Sequence, residues 1–236
     1  MKINKLFRHN FKFKILILIF LGFIVLSYGL ILGLFFSPAD YQQGEYVRIM
    51  YVHVPSAWLA LGIYAAMGVC SFVFLVWRTP MTDLIAKKSA MIGAFFTLVT
   101  LITGSIWGKP IWGTWWVWDA RLTSMLILFF FYLGYLIVIN SESDFDLTNT
   151  APAVLCVVGL VNVPIVKFSV EYWTCLHQKS SVFRLDGPTI HADMLKPLLV
   201  VFVGAAIISF CIVSLRVKTQ LLLKKNLRSK LLLDKN

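Results

Sequence analysis

The chain has 236 residues, 59% of them hydrophobic and only 14% charged, a balance outside the range of soluble globular domains and typical of proteins that live in a bilayer. Its net charge of +11 sits beside long uncharged runs, so it reads as membrane topology and attraction to anionic lipid and argues against nucleic-acid binding. No internal repeat is evident.

Crossing roughly 30 Å of hydrocarbon takes about 20 helical residues, and uncharged runs of that length occur at 15–36, 54–77, 89–108, 122–141, 147–166 and 197–215. The expected fold class is an all-α integral membrane protein with six transmembrane helices. The connections are too short to fold alone, so residues 1–236 form one polytopic domain with a tryptophan-rich outer loop at 107–124. The basic N-terminus precedes an uncharged run with no small-residue cleavage site, which reads as a retained first helix and not as a removed signal.

Orientation follows from the cations. Of the 22 lysines and arginines, all except Arg48, Lys109, Arg121, Lys167, Lys179, Arg184 and Lys196 fall on the side of the N-terminus. By the positive-inside rule both termini are cytoplasmic, or face the matrix in a mitochondrion. The acidic stretch SESDFD, 141–146, lies on the same inner side, but carboxylates count little in that rule. No charged residue falls inside the six runs.

Five of the eight tryptophans, Trp107, Trp112, Trp115, Trp116 and Trp118, lie in WGKPIWGTWWVWDARLTS, residues 107–124. A lone interfacial tryptophan is ordinarily part of an aromatic belt, yet a belt populates both interfaces. Here only Trp77 falls near the inner one. With Gly108, Pro110 and Gly113 expected to break regular helix between them, the rings form an apolar, π-rich surface outside the hydrocarbon. Such a surface calls for a cover: a ligand, a lipid or a partner.

Three of the four histidines, His53, His177 and His191, fall on that same side, while His9 lies in the basic N-terminal tail. His53 precedes Pro55, which fits the first turn of a helix. An isolated interfacial histidine is usually a hydrated surface residue. Two neutral imidazoles from different loops, facing each other across an aromatic slot, have the chemistry for axial ligation of haem iron and leave no open position for oxygen. Haem propionates call for cations at the rim, and Arg48, Lys109 and Arg121 are the nearest, although each also reads as a snorkelling helix-end cation. Asp119 most simply caps the fourth helix near Arg121 to Ser124.

Cys70, Cys156 and Cys211 fall within the helical runs and Cys175 is the lone outer-loop thiol. There is no C-x-x-C pair and no C-x-x-C-H attachment motif, so haem would be held noncovalently, as haem b.

These residues carry a resemblance. WGKPIWGTWWVWDARLTS, SPADYQQGEYVRIMYVHVPSAW and NVPIVKFSVEYWTCLHQ together resemble the cytochrome c maturation protein C family, defined by the tryptophan motif W-G-T-W-W-x-W-D, from about Ser37 to Gln178. The resemblance implies that Trp107, Trp112, Trp115, Trp116, Trp118, Asp119, Arg121 and Arg48 serve a haem site on the outer face. It makes His53 and His177 the axial ligands, while His191 matches no motif. It also implies delivery of haem to a membrane-anchored haem chaperone, cytochrome c maturation protein E, beside an ATP-binding cassette pair and a small helper subunit. The host membrane is then a bacterial inner membrane, or the mitochondrial one for an organellar gene. A haem lyase that attaches haem to apocytochrome shares the motif but is generally larger. A solute transporter usually places ionisable groups near the midplane, and the uncharged spans argue against it. Asn162 and Pro164 mark an expected kink in the fifth helix.

The topology is directly testable. Reporters fused after Trp112 or Lys179 should report the outer compartment, and those after Asp144 or at Asn236 the inner one. An inner signal from the Trp112 fusion would overturn the orientation.

Overall fold

The computed structural model describes residues 2–140, 150–173, 176, 177, 181, 182, 184 and 186–233. Helix α1 (Lys2–Ile31) ends in a π-helical turn, Leu32–Phe36, and a 3-10 turn, Glu45–Ile49, leads into α2 (Met50–Trp77). There follow α3 (Pro80–Trp112), α4 (Ala120–Asn140), α5 (Ala151–Leu160), α6 (Asn162–Tyr172) and α7 (Ala192–Leu233). Among the described residues six helical stretches are long and apolar enough to cross a membrane, α5 and α6 together making the fifth. Cys175, the acidic 141–146 stretch, Lys179 and residues 234–236 lie outside the described residues.

The helices outrun the uncharged runs that announce them. A helix satisfies its own backbone in lipid and in water alike, so it continues until a stop signal intervenes. Between α2 and α3 that signal is Arg78, left-handed at φ 52°, whose N–H closes on the Phe74 carbonyl at 2.8 Å, with Pro80 opening the next helix. Helix α7, with 42 residues, is about 63 Å long at 1.5 Å per residue, roughly twice the hydrocarbon thickness.

The extended helices do carry charge: α3 contains Asp83 and Lys87, both buried, paired at 3.0 Å one turn apart. The i, i+4 spacing lets the pair neutralise itself within its own helix. It sits at the end of α3 away from the tryptophan-rich loop, close to the α2–α3 turn.

Helix α2 packs on α3, α5 and α7, α4 packs on α3, α5 and α6, and α1 lies mainly along α7. Lipid tails are as apolar as leucine, so close packing and buried hydrogen bonds must hold such helices together. The core shows both. Small residues Ala86, Ala90, Gly93 and Ala94 on α3 leave room for Tyr132 of α4. Its hydroxyl donates to the Ala60 carbonyl of α2 at 2.7 Å, and Tyr64 meets it edge-on at 4.9 Å between ring centroids. The irregularity at Asn162 is a break between α5 and α6, where the Asn162 amide donates to the Ser124 carbonyl of α4 at 2.8 Å. That bond ties α6 to the start of α4. Cys70, Cys156 and Cys211 are free thiols.

The buried pair yields a stability test. Lys87→Met leaves the Asp83 carboxylate buried without its cation and should lower stability by about 3 kcal/mol, read as a drop in the thermal unfolding midpoint in detergent. Adding Asp83→Asn should return part of the loss. An unchanged midpoint in the single variant would mean that water reaches the carboxylate.

Candidate functional site

The tryptophan segment is mostly helical. Gly108 and Pro110 were expected to break the helix, but α3 runs through both to Trp112 and stops at Gly113, whose φ of +76° suits glycine. The Gly113 N–H closes on the Lys109 carbonyl at 3.0 Å, and the Lys109 ammonium donates to the Gly113 carbonyl at 3.0 Å. Proline is tolerated there because the bond it deletes lies in the last turns, next to the solvated end of the helix. The loop then folds back, with the Ser105 hydroxyl donating to the Trp115 carbonyl and that of Thr114 to the Trp116 carbonyl.

Asp119 ends this loop and opens α4. Its Oδ1 accepts the Leu122 N–H at 2.8 Å, the third-residue bond of an N-cap. Its Oδ2 accepts from His177 Nδ1 at 3.1 Å. Burial works to raise the Asp119 pKa; the bonds from His177 and the Leu122 N–H outweigh it, and the carboxyl lies below its ordinary value. Asp119 is therefore an ionised acceptor at neutral pH.

These elements surround a cavity of about 590 Å³, within the roughly 300–1,000 Å³ of cofactor-sized pockets. His53 enters from α2, in the helix's first turn, with Pro55 one turn deeper than expected. Its Nδ1 lies 3.1 Å from the Thr103 hydroxyl of α3, and Gly104 leaves its ring room: a Cβ there would stand 3.0 Å from His53 Cε1. His177, from the segment after α6, lines the same cavity. Each histidine has a tryptophan edge against it, Trp107 at 5.6 Å for His53 and Trp112 at 4.7 Å for His177. Trp58, Trp107, Trp112 and Trp116 all line the cavity. So do Arg121 and Lys167, linked where the Arg121 guanidinium donates to the Lys167 backbone carbonyl at 3.4 Å.

Other candidates stand apart. Trp115 and Trp118 are 56% and 76% exposed and do not line the cavity. Arg48 is also outside it, turned to Glu45 and to the Leu34 carbonyl. The reason is local: Glu45 is three residues away on the same 3-10 turn, a nearer anion than anything in the cavity. His191 is exposed and faces Asp193, which follows it by two residues.

The chain matches the family heme exporter protein C over residues 4–232. It belongs to that family. Similar proteins include the heme exporter protein C of Haemophilus influenzae, 46% identical over 203 residues that cover 86% of this chain and 82% of the relative. That of Escherichia coli K12 is 44% identical over 205 residues, 87% of this chain and 82% of the relative. A mitochondrial ccmC-like protein of Marchantia polymorpha is 47% identical over 193 residues, 82% and 81% of the two chains. Family membership brings a role in haem handling during cytochrome c maturation.

Several lining residues escaped the sequence reading. Lys167 stood one residue beyond the fifth uncharged run and was counted only for orientation; a cation at the end of a span was the available signal. Gln43 accepts from the Trp107 indole N–H at 2.9 Å and pins the 37–44 segment beside the cavity. Thr103, which meets His53 without itself lining the cavity, carried no signal, because its meaning depends on which helix it faces.

Exposure divides the tryptophans into two classes. Trp112→Ala or Trp116→Ala should lower the unfolding midpoint, approaching the ~3 kcal/mol lower bound for a core tryptophan. Trp115→Ala and Trp118→Ala should change stability by no more than about 0.5 kcal/mol. Equal losses in all four, measured by thermal melts of detergent-purified protein, would contradict the division.

Proposed function

We propose that this membrane protein holds haem b noncovalently between His53 and His177 on the outer face of the membrane and passes it to the haem chaperone, cytochrome c maturation protein E. The carrying observation is that two histidines from different parts of the chain line one cavity together with four tryptophans and two cations. Chemically the set fits haem. Two imidazoles suit iron, flat indoles suit the porphyrin, and Arg121 with Lys167 suits the propionates. Haem is cargo here, and a site with two nitrogen ligands on iron has no position open to oxygen.

The division of labour follows from exposure. Trp58, Trp107, Trp112 and Trp116 cover the ring, while Trp115 and Trp118 present bare indoles at the cavity's edge, where a partner would dock. Exposed indole of this kind is a typical centre of a protein contact. An ATP-binding cassette pair and a small helper subunit complete the maturation system, and lipid covers the remaining apolar faces. Bacterial relatives favour a bacterial inner membrane as the location, with both termini cytoplasmic. The Marchantia relative makes a mitochondrial inner membrane the alternative.

The ligand assignment can be read from iron itself. Purified protein loaded with haem should give a six-coordinate, low-spin spectrum. His53→Ala or His177→Ala should turn it high-spin with less haem retained, and the double variant should retain little. Exogenous imidazole should restore the low-spin spectrum in either single variant by entering the vacated space. His191→Ala should leave the spectrum unchanged; loss of the low-spin signal in that variant, with His177→Ala intact, would reassign the ligand to His191.

A further inference from the structure

The two histidines have unlike neighbours on the ring nitrogen turned away from the cavity. For His53 the neighbours are neutral: the Thr103 hydroxyl, Oγ1 at 3.1 Å from Nδ1, and the Thr100 backbone carbonyl. That hydroxyl has one hydrogen, and it goes to the Val99 carbonyl at 2.7 Å within its own helix. Its oxygen is left only as an acceptor, so His53 Nδ1 must carry the proton. For His177 the neighbour is the Asp119 carboxylate, at 3.1 Å, whose other oxygen is engaged by the Leu122 N–H. An ionised carboxylate only accepts, so His177 Nδ1 carries the proton as well. In both rings this leaves Nε2 with a free lone pair.

The partners differ in strength. A neutral hydroxyl, itself pinned to its helix, draws little on the N–H. A carboxylate makes a charge-assisted bond, pulls the proton toward itself and raises the basicity of the other nitrogen. We propose that Thr103 and Asp119 are positioning residues that fix both imidazoles as Nε2 donors and make them unequal, His177 being the strong iron ligand and His53 the weak one. The inference rests on the haem reading above. It gives Asp119 a role beyond capping: one carboxylate shapes the tryptophan loop's exit through Oδ1 and sets the donor strength of His177 through Oδ2. A more basic ligand stabilises ferric over ferrous iron, so the site should hold the oxidised form more tightly.

Midpoint potential separates this role from a structural one. Asn is a good N-cap, so Asp119→Asn can keep the Leu122 bond while removing the anionic acceptor from His177. In haem-loaded protein Asp119→Asn should remain low-spin, raise the midpoint potential and weaken haem binding about tenfold or more. Thr103→Val, which removes the acceptor behind His53, should raise the potential less, and Thr103→Ser should behave as wild type. A through-space effect of the lost charge is distinguished by a double-mutant cycle: in a His177→Ala background, Asp119→Asn should no longer shift the potential. If it shifts it as much as in wild type, the carboxylate acts as a remote charge and the positioning role is wrong. If Thr103→Val outweighs Asp119→Asn, the ranking of the ligands is reversed. A wild-type protein whose haem is not low-spin overturns the haem reading and this inference with it, whereas a low-spin wild type with an unmoved Asp119→Asn potential overturns the inference alone.

Discussion

Asp119 has two oxygens, and the site depends on where they go. Oδ1 takes a backbone N–H at the start of α4, and Oδ2 takes the ring N–H of His177, 58 residues further on. The first bond is local and would form in any helix that opens with this residue. The second joins the tryptophan loop to the segment between α6 and α7, so that one side chain fixes the exit of the first and the ring position of the second. The desolvation that opposes an ionised carboxylate is more than offset by these two bonds, which explains how a charge is kept at the wall of an apolar cavity.

The helices supply the frame on which that side chain works. Helix α2 carries His53 and touches α3, α5 and α7, while α4, capped by Asp119, carries Arg121 and touches α3, α5 and α6. The Tyr132 hydroxyl on the Ala60 carbonyl clamps α2 to α4, and the Asn162 amide on the Ser124 carbonyl clamps α6 to α4. These buried polar bonds matter in a membrane protein because apolar contact alone discriminates poorly between one helix pairing and another when lipid is the competitor. The cavity is the space left at the tryptophan-rich end of a bundle held this way.

The tryptophans divide between two tasks for a geometric reason. At the end of α3, Trp107 and Trp112 are five residues apart and both reach the cavity. After Gly113 the chain bends back along α3, and there Trp116 lines the cavity while Trp115 and Trp118 stay out. A segment that looks like one aromatic surface in sequence therefore becomes a lining and an exposed edge. The same division fits a protein of haem handling, which must both cover a flat apolar cargo and release it to another protein.

Hydropathy decided the number of membrane-crossing helices, because a run of apolar residues long enough to span lipid has no other stable fold. The tryptophan motif and the three candidate histidines were legible for a different reason: rare residue types concentrated on one side of the chain carry chemistry that apolar packing does not need, and the choice of His53 and His177 among them came from the family resemblance. Asp119 was legible as a cap, since capping is a matter of three residues. Its bond to His177, the place of Lys167 at the cavity and the approach of Thr103 to His53 were decided only by tertiary structure. Each depends on how segments distant in the sequence are brought together, and the bundle fixes that by fitting small residues against large ones across helices, as Gly93 of α3 against Tyr132 of α4. The buried Asp83–Lys87 pair belongs to the same class: its spacing was local, but its burial was set by the neighbours that closed over it.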